Sequence, residues 1–316
     1  MTFFRGMILR FVSTSVLSTM LVFVAIELSI PGGYQAVLLP NGVNRESPRD
    51  MAIVDQFYLD DHVLVRWFHW VVDAFHGDLG RSNKGGAEVV EIIAHRLPIT
   101  LELAAAGLIL ALVVGIPLGV FAAVHQRRWS GQLVSVPLGL AQSIPAFMSA
   151  TLLIWVFALE LGWVRASGWT RISSSLSGNL GGLVLPAVAL ALAEVGVIAR
   201  VVRSDMLGVL REDFVVAARG KGLSSSYVLF RHALRPASLG LLAVLSVSIS
   251  SMIAGTFVVE IVFGIGALGR ELIDASQDRD LYVLLGLTMY IVGFYIVVTA
   301  IIDLVMYWAD PRIRRG

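Results

Sequence analysis

Gly264-Ile265-Gly266-Ala267-Leu268-Gly269 has the spacing G-x-G-x-x-G, in which glycines let a backbone close on a dinucleotide pyrophosphate at a helix N-terminus. That chemistry needs a strand before the turn and strand–helix alternation around it. Here the preceding run is MIAGTFVVEIVF, which belongs to a membrane span, so the spacing reads as a chance match in an extracellular turn. Gly220-Lys221 makes no phosphate loop, because Gly222 stands where Ser or Thr would be and no glycine lies five residues before Gly220. His62, His69 and His76 recur every seven residues and raise a metal site. Seven helical residues separate successive imidazoles by about 10.5 Å, too far to share one ion, so they read as polar interfacial side chains. No cofactor or metal is therefore assigned to this chain.

Glu194 and Glu260 lie deep within apolar runs, where a carboxylate is costly unless paired or hydrated. They are expected to face polar partners or a wet cavity. Arg200 is six residues from Glu194 and is not at the i,i+4 spacing that favours an intrahelical pair. Glu27 and Glu102 fall near the outer ends of spans and Asp303 near an inner end, where interfacial water suffices.

The elements that must position these groups are set by composition. The chain has 316 residues, 57% of them hydrophobic and 15% charged, with no cysteine. A mean hydropathy of +0.80 and several uninterrupted apolar stretches exceed what a soluble core needs and indicate a polytopic membrane protein. A net charge of +1 argues against a nucleic-acid partner. Six segments reach the length of about 20 apolar residues that spans a bilayer core, at roughly 8–30, 100–124, 133–160, 183–202, 237–263 and 281–307. The first is preceded by Arg5 and Arg10 but runs longer than a signal-peptide core and lacks a small-x-small cleavage site, so it reads as a retained anchor.

The fold class is thus all-α, a bundle of six transmembrane helices embedded in lipid. Lys and Arg are frequent in the N-terminus, the 125–131 and 203–236 loops and the 308–316 tail, which places both termini in the cytoplasm. The resulting organisation is an anchor helix (1–30), a large external segment (31–99), a five-helix core (100–307) containing the 203–236 loop, and a cytoplasmic tail. In the external segment, Val63, Trp67, Val71 and Ala74 recur at helical spacing, with Phe68 and Trp70 beside them, until Gly77 and Gly80. An amphipathic helix on the outer membrane surface is expected there. Within the spans, Gly115 and Gly119 form a small-xxx-small pair that admits a close helix neighbour, and Pro117, Pro137, Pro145 and Pro186 can kink their helices.

Residues 212–237, EDFVVAARGKGLSSSYVLFRHALRPA, interrupt this apolar pattern with Arg219, Lys221, Arg231 and Arg235. Gly220 and Gly222 break a helical stretch, and the serines can cap a short second helix. A helix–turn–helix with mixed basic and apolar surface suits docking in another protein's groove, although a plain orienting loop would carry the same charge.

This segment resembles the cytoplasmic signature of the inner-membrane permease subunits of ABC importers, in particular the dipeptide and oligopeptide group. Ala217, Ala218 and Gly222 match its E-A-A…G pattern, with Val216 in place of the Glu. HGDLGRS, RLPITLELA, GIPLGV, QSIPAFM, LGWVRASG, GALGRELIDASQDRD and DPRIR are similar to that group in matching order over most of the chain. Two departures stand out: Gly266-Ala267 replaces a frequent Pro-Gly, and Glu194 occupies a position expected to be uncharged.

The resemblance implies a multi-pass permease of the bacterial inner membrane, paired with a homologous second permease subunit as a heterodimer. Two cytoplasmic ATPase subunits, or one fused ATPase, would hold ATP and Mg, and an extracytoplasmic substrate-binding protein would deliver peptide. Ala217, Ala218, Arg219, Lys221, Gly222, Leu223, Tyr227 and Arg231 would form the ATPase-coupling loop, with Glu194 and Glu260 as candidates for the translocation pathway. Relatives carrying glutathione or nickel chelates share these motifs, so those substrates stay open. An ion-coupled secondary transporter would instead call for inverted repeats and clustered carboxylates, and a membrane-embedded enzyme for a convergent nucleophile–base set or metal ligands. Neither pattern is visible, and the six histidines fall in loops or at helix ends.

Overall fold

The computed structural model describes residues 2–309; the tail DPRIRRG and the side chains of Arg5, Arg10, Arg235 and Asp303 lie outside the described residues. The helices in chain order are α1 (Thr2–Ser29), α2 (Gln35–Leu38), α3 (Pro48–Gln56), α4 (Val63–Phe75), α5 (Val89–Val124), α6 (Trp129–Gln142) and α7 (Ala146–Leu153). They continue with α8 (Leu176–Val209), α9 (Asp213–Gly220), α10 (Ser225–Tyr227), α11 (Leu234–Val262), α12 (Leu268–Gln277) and α13 (Leu281–Ala309). π-helical turns follow α7 at Ile154–Glu160 and α10 at Val228–Ala233. Among the described residues there is no strand, and one isolated bridge joins Arg81 to Glu88.

Among the described residues, five helices are long and apolar enough to cross a membrane: Phe11–Ser29 of α1, α5, α8, Gly240–Val262 of α11 and Leu281–Ile302 of α13. The segment expected as one span, 133–160, with Pro137 and Pro145 able to kink it, is broken. α6 and α7 meet at 106°, so the sixth crossing is counted only if the bent pair is one span. Pro145 supplies the reason. The residue before a proline is pushed out of the helical region, and Pro145 itself has no N–H to continue the ladder. Its extended ψ of 146° lets its carbonyl start α7 by accepting from Met148 and Ser149 N–H.

Helix boundaries also differ from expectation. α8 is 34 residues rather than the 183–202 stretch, so residues 203–209 of the supposed loop are helix. At 1.5 Å per residue it is about 51 Å long, well beyond a hydrocarbon core of about 30 Å. Polar residues at its end need no tertiary reason to uncoil once outside lipid.

The described residues form two compact units, 2–98 with 270–297 and 99–269 with 298–309. In the first, α4 packs on α1. Arg66 of α4 is buried, sits 3.4 Å from Glu27 and lies over the Phe23 ring, while Trp67 Nε1 donates to Thr19. The buried face of α4 is Arg66, Trp70 and Ala74, with Trp67 and Val71 half-buried and Phe68 exposed. Leu64, Val65, Val72 and Phe75 are exposed on the same helix, leaving an apolar outer face as well. Asp280 caps the start of α13, accepting from the Ser82 hydroxyl at 2.6 Å and from the N–H groups of Asn83 and Val283. Burial outweighs these hydrogen bonds and raises its carboxyl above the ordinary range.

In the second unit α8 is the central element, against which α6, α7 and α11 pack. Gly115 and Gly119 behave as the small-xxx-small spacing predicts. A Cβ at Gly119 would fall 2.6 Å from the Ala199 carbonyl of α8, and one at Gly115 would fall 3.0 Å from Ile198. The core joins Leu103, Leu190, Met252 and Val259 in one cluster and Ile198, Val202, Met206 and Leu241 in another.

Candidate functional site

Residues 210–234 form a helix, a glycine turn and a second helix. After α8 ends, Glu212 is extended and α9 runs from Asp213 to Gly220. Leu223 N–H donates to Ala218 carbonyl and Gly222 N–H to Arg219 carbonyl, the paired bonds of a Schellman ending. That ending requires a left-handed residue, and Gly222 has φ of 79°. Ser224 then caps the next helix by accepting from Tyr227 N–H at 3.3 Å. Gly220, which the sequence reading paired with Gly222 as a breaker, is still helical.

Burial divides the segment into two faces. Val215, Ala218 and Val228 are buried with Val209 and Leu210 in a small core of their own. Ala217, Arg219, Lys221, Gly222, Leu223, Tyr227 and Arg231 are exposed, so Ala218 alone among the eight predicted residues points inward. Three exposed apolar neighbours stand outside the predicted set: Phe214 and Phe230, which the sequence reading missed, and Val216, which it named only as a departure from the signature; Phe230 is 65% exposed. Their signal was available. An apolar residue beside Arg219 or Arg231 that does not share the spacing of Val215 and Ala218 has no core to enter. The surface is therefore basic and aromatic together, with Tyr227 meeting the His232 ring edge-on.

Glu194 and Glu260 occupy different surroundings. Glu260 on α11 is wholly buried and accepts from Thr100 Oγ1 at 2.7 Å and from Gly269 N–H at 2.6 Å. Thr100 Oγ1 also accepts from Leu268 N–H, so the carboxylate ties α5 and the end of α11 to the start of α12. Gly269, the last glycine of the G-x-G-x-x-G spacing, approaches Phe257 so closely that a Cβ would fall 2.4 Å from its Cα. These glycines follow a helix, not a strand: Gly269 serves this close packing, and Gly264 has a φ of 65° in open space. Glu194 on α8 instead lines a cavity of about 290 Å³ at the α6–α7 break. It is 6% exposed, and its Oε2 has no hydrogen-bond partner.

The three histidines at seven-residue spacing act separately. His62 caps α4 by accepting from Leu64 N–H, His69 stacks on Tyr58, and His76 Nδ1 lies 2.8 Å from the Val72 carbonyl. His69 sits inside α4 rather than at a helix end. Among the described residues no group of three or more metal-ligating side chains converges.

Comparison with known proteins bears on these observations. The family model described as binding-protein-dependent transport system inner membrane component matches residues 115–315. A Brucella abortus permease protein named for a peptide transport system is 36% identical over 93% of each chain. The oligopeptide transport system permease protein OppB of Salmonella typhimurium is 34% identical, covering 82% of this chain and 83% of its own. Among solved structures, the MetNI methionine ABC transporter in an inward-facing form aligns with a TM-score of 0.54 at 17% identity, over 70% of this chain and 97% of that one, which shows a shared fold. With that family match and identity above 30% over most of its length, this chain belongs to the family of binding-protein-dependent transport system inner membrane components.

Proposed function

We propose that this chain is one of two permease subunits of a peptide importer, and that ATP bound with Mg on partner ATPases drives it through the segment 210–234. Peptide backbone is polar and cannot partition through lipid, so the route is alternating access through a hydrated interior between two permease subunits. An extracytoplasmic binding protein supplies the substrate. Both termini and the 210–234 segment face the cytoplasm, and residues 31–99 face outward, consistent with the distribution of Lys and Arg.

The observation that carries this reading is that Leu223, Tyr227 and Phe230 are exposed together with Arg219, Lys221 and Arg231 on the helix–Gly222–helix segment. Exposed apolar side chains among basic ones suit a protein-docking surface, and the family membership supports a cytoplasmic ATPase as the partner class. In that role the ATPase groove grips α9 and α10, and their displacement is passed into α8 through the Val215–Val228 core and into α11 through the π-helical turn that joins it to α10. No ATP chemistry is assigned to the permease chain itself.

Membranes carrying the complete transport system test the reading. ATP-dependent uptake of labelled di- and oligopeptides is expected, and it is lost when the cognate ATPases are omitted. Uptake that persists without ATPases and follows an ion gradient overturns it.

A further inference from the structure

Glu194 has a place in the fold that packing does not explain. Its carboxylate is buried, one oxygen is unpartnered, and it lines a cavity. A buried ionised group without a partner is strongly disfavoured, so a carboxylate held this way is suited to a counter-charge that arrives from elsewhere. We propose that the cavity at the α6–α7 break is a recognition site for an alkylammonium group of the cargo, with Glu194 as its anionic anchor.

The lining supports an ammonium over other cations. Gln142, Ser143 and Ser251 join Glu194 as polar groups, Leu190 and Met252 are apolar, and none of the lining residues is Lys, Arg or His. An ammonium carries three donors and no acceptor, and a carboxylate, a hydroxyl oxygen and an amide oxygen are three suitable acceptors. A calcium ion would require six to eight oxygen ligands, more than one carboxylate with such neighbours provides. Volume sets the scale. About 290 Å³ lies at the bottom of the range for small-molecule pockets, enough for one residue-sized group and too little for a whole peptide. The site therefore reads a terminus or a side chain and leaves the rest of the cargo free in length.

The break in the helix makes the site accessible. Ser143, Ile144 and Pro145, the residues of the turn between α6 and α7, line the cavity together with Glu194. This inference rests on the peptide-permease reading above. Two sources supply the same chemistry, the α-ammonium of a peptide N-terminus and the side chain of a lysine.

The complete transport system in membrane vesicles distinguishes them, using wild type and Glu194→Gln with three peptides: free N-terminus without lysine, N-acetylated with lysine, and N-acetylated without lysine. Each peptide is compared between variant and wild type, so delivery by the binding protein cancels. Uptake of an ammonium-bearing peptide, relative to the doubly neutral one, is expected to fall about tenfold in Glu194→Gln, the scale of one lost charge-assisted hydrogen bond. A fall for the first peptide alone assigns the N-terminus, and a fall for the second alone assigns lysine. Should the neutral variant fail to reach the membrane, Glu194→Asp withdraws the carboxylate by one methylene and is expected to lower the same ratio. An unchanged ratio in the variants that insert overturns the ammonium site while leaving the permease reading intact. Absence of ATP-dependent uptake of all three peptides by wild type overturns both.

Discussion

The Thr100 hydroxyl on α5 donates a 2.7 Å hydrogen bond to Oε1 of Glu260 on α11, joining residues 160 positions apart in the chain. The same carboxylate accepts from Gly269 N–H through its other oxygen, and Thr100 accepts in turn from Leu268 N–H. One buried carboxyl group thereby satisfies the start of α12 and holds it to two long helices. Glu260→Ala should destabilise the chain by about 2–4 kcal/mol, because it orphans a buried hydroxyl and a buried N–H. Thr100→Ser keeps the hydroxyl and should cost less than Glu260→Ala. Thermal unfolding of the purified chain in detergent checks the order, and equal melting temperatures for wild type and Glu260→Ala would remove the network from the account.

Gly222 has open space around its missing Cβ, so any penalty for substitution comes from the backbone. A left-handed conformation costs an ordinary residue about 1–2 kcal/mol, and Asn less than a β-branched residue. Gly222→Val should therefore abolish ATP-driven uptake while the chain remains inserted, and Gly222→Asn should retain much of it. Uptake measured against membrane content of the chain separates the two. Normal uptake and ATPase co-purification in Gly222→Val would show that this turn is not the coupling element.

Phe230 is 65% exposed beside the basic residues of the same segment. If an ATPase groove covers it, Phe230→Ser should weaken ATPase co-purification more than Arg219→Glu does. The reason is that burying an aromatic ring contributes about 1.5–3 kcal/mol, whereas an exposed ion pair contributes about 0–1 kcal/mol. Salt should attenuate the Arg219 effect and leave the Phe230 effect largely unchanged. The reverse ranking would point to an electrostatic contact without an apolar anchor.

Asp280 predicts the pH dependence of the first unit. Burial raises its carboxyl above the ordinary value of 3.8, so between that value and the raised one the folded chain holds a proton that the unfolded chain has released. Stability from this group is complete below the ordinary value and is lost as pH rises through the raised one. Asp280→Asn cannot titrate and should flatten that part of the profile while keeping an acceptor for the Ser82 hydroxyl. Unfolding temperature measured across the acidic range, for both chains, should show the decline in wild type alone; parallel profiles would contradict it.

Several features could be read from local sequence because their causes are local. Apolar runs of bilayer length become helices, since a helix is the way a single segment satisfies its own backbone in lipid. The Gly222 turn and the Ser224 cap follow from residue types that favour a left-handed residue and a helix start, and both are in place. Gly115 and Gly119 announced a close helix contact, though not that Ile198 and Ala199 of α8 would make it. Tertiary structure decided the rest. The turning of Arg66 toward Glu27, and the separation of Glu194 and Glu260 into a cavity and a hydrogen-bonded network, depend on which distant surface arrives opposite. A carboxylate in an apolar run states only that a partner is needed. Whether that partner is Thr100, far away in the chain, or a group outside the chain is settled when the helices pack, because desolvation and hydrogen bonding act on neighbours in space rather than in sequence.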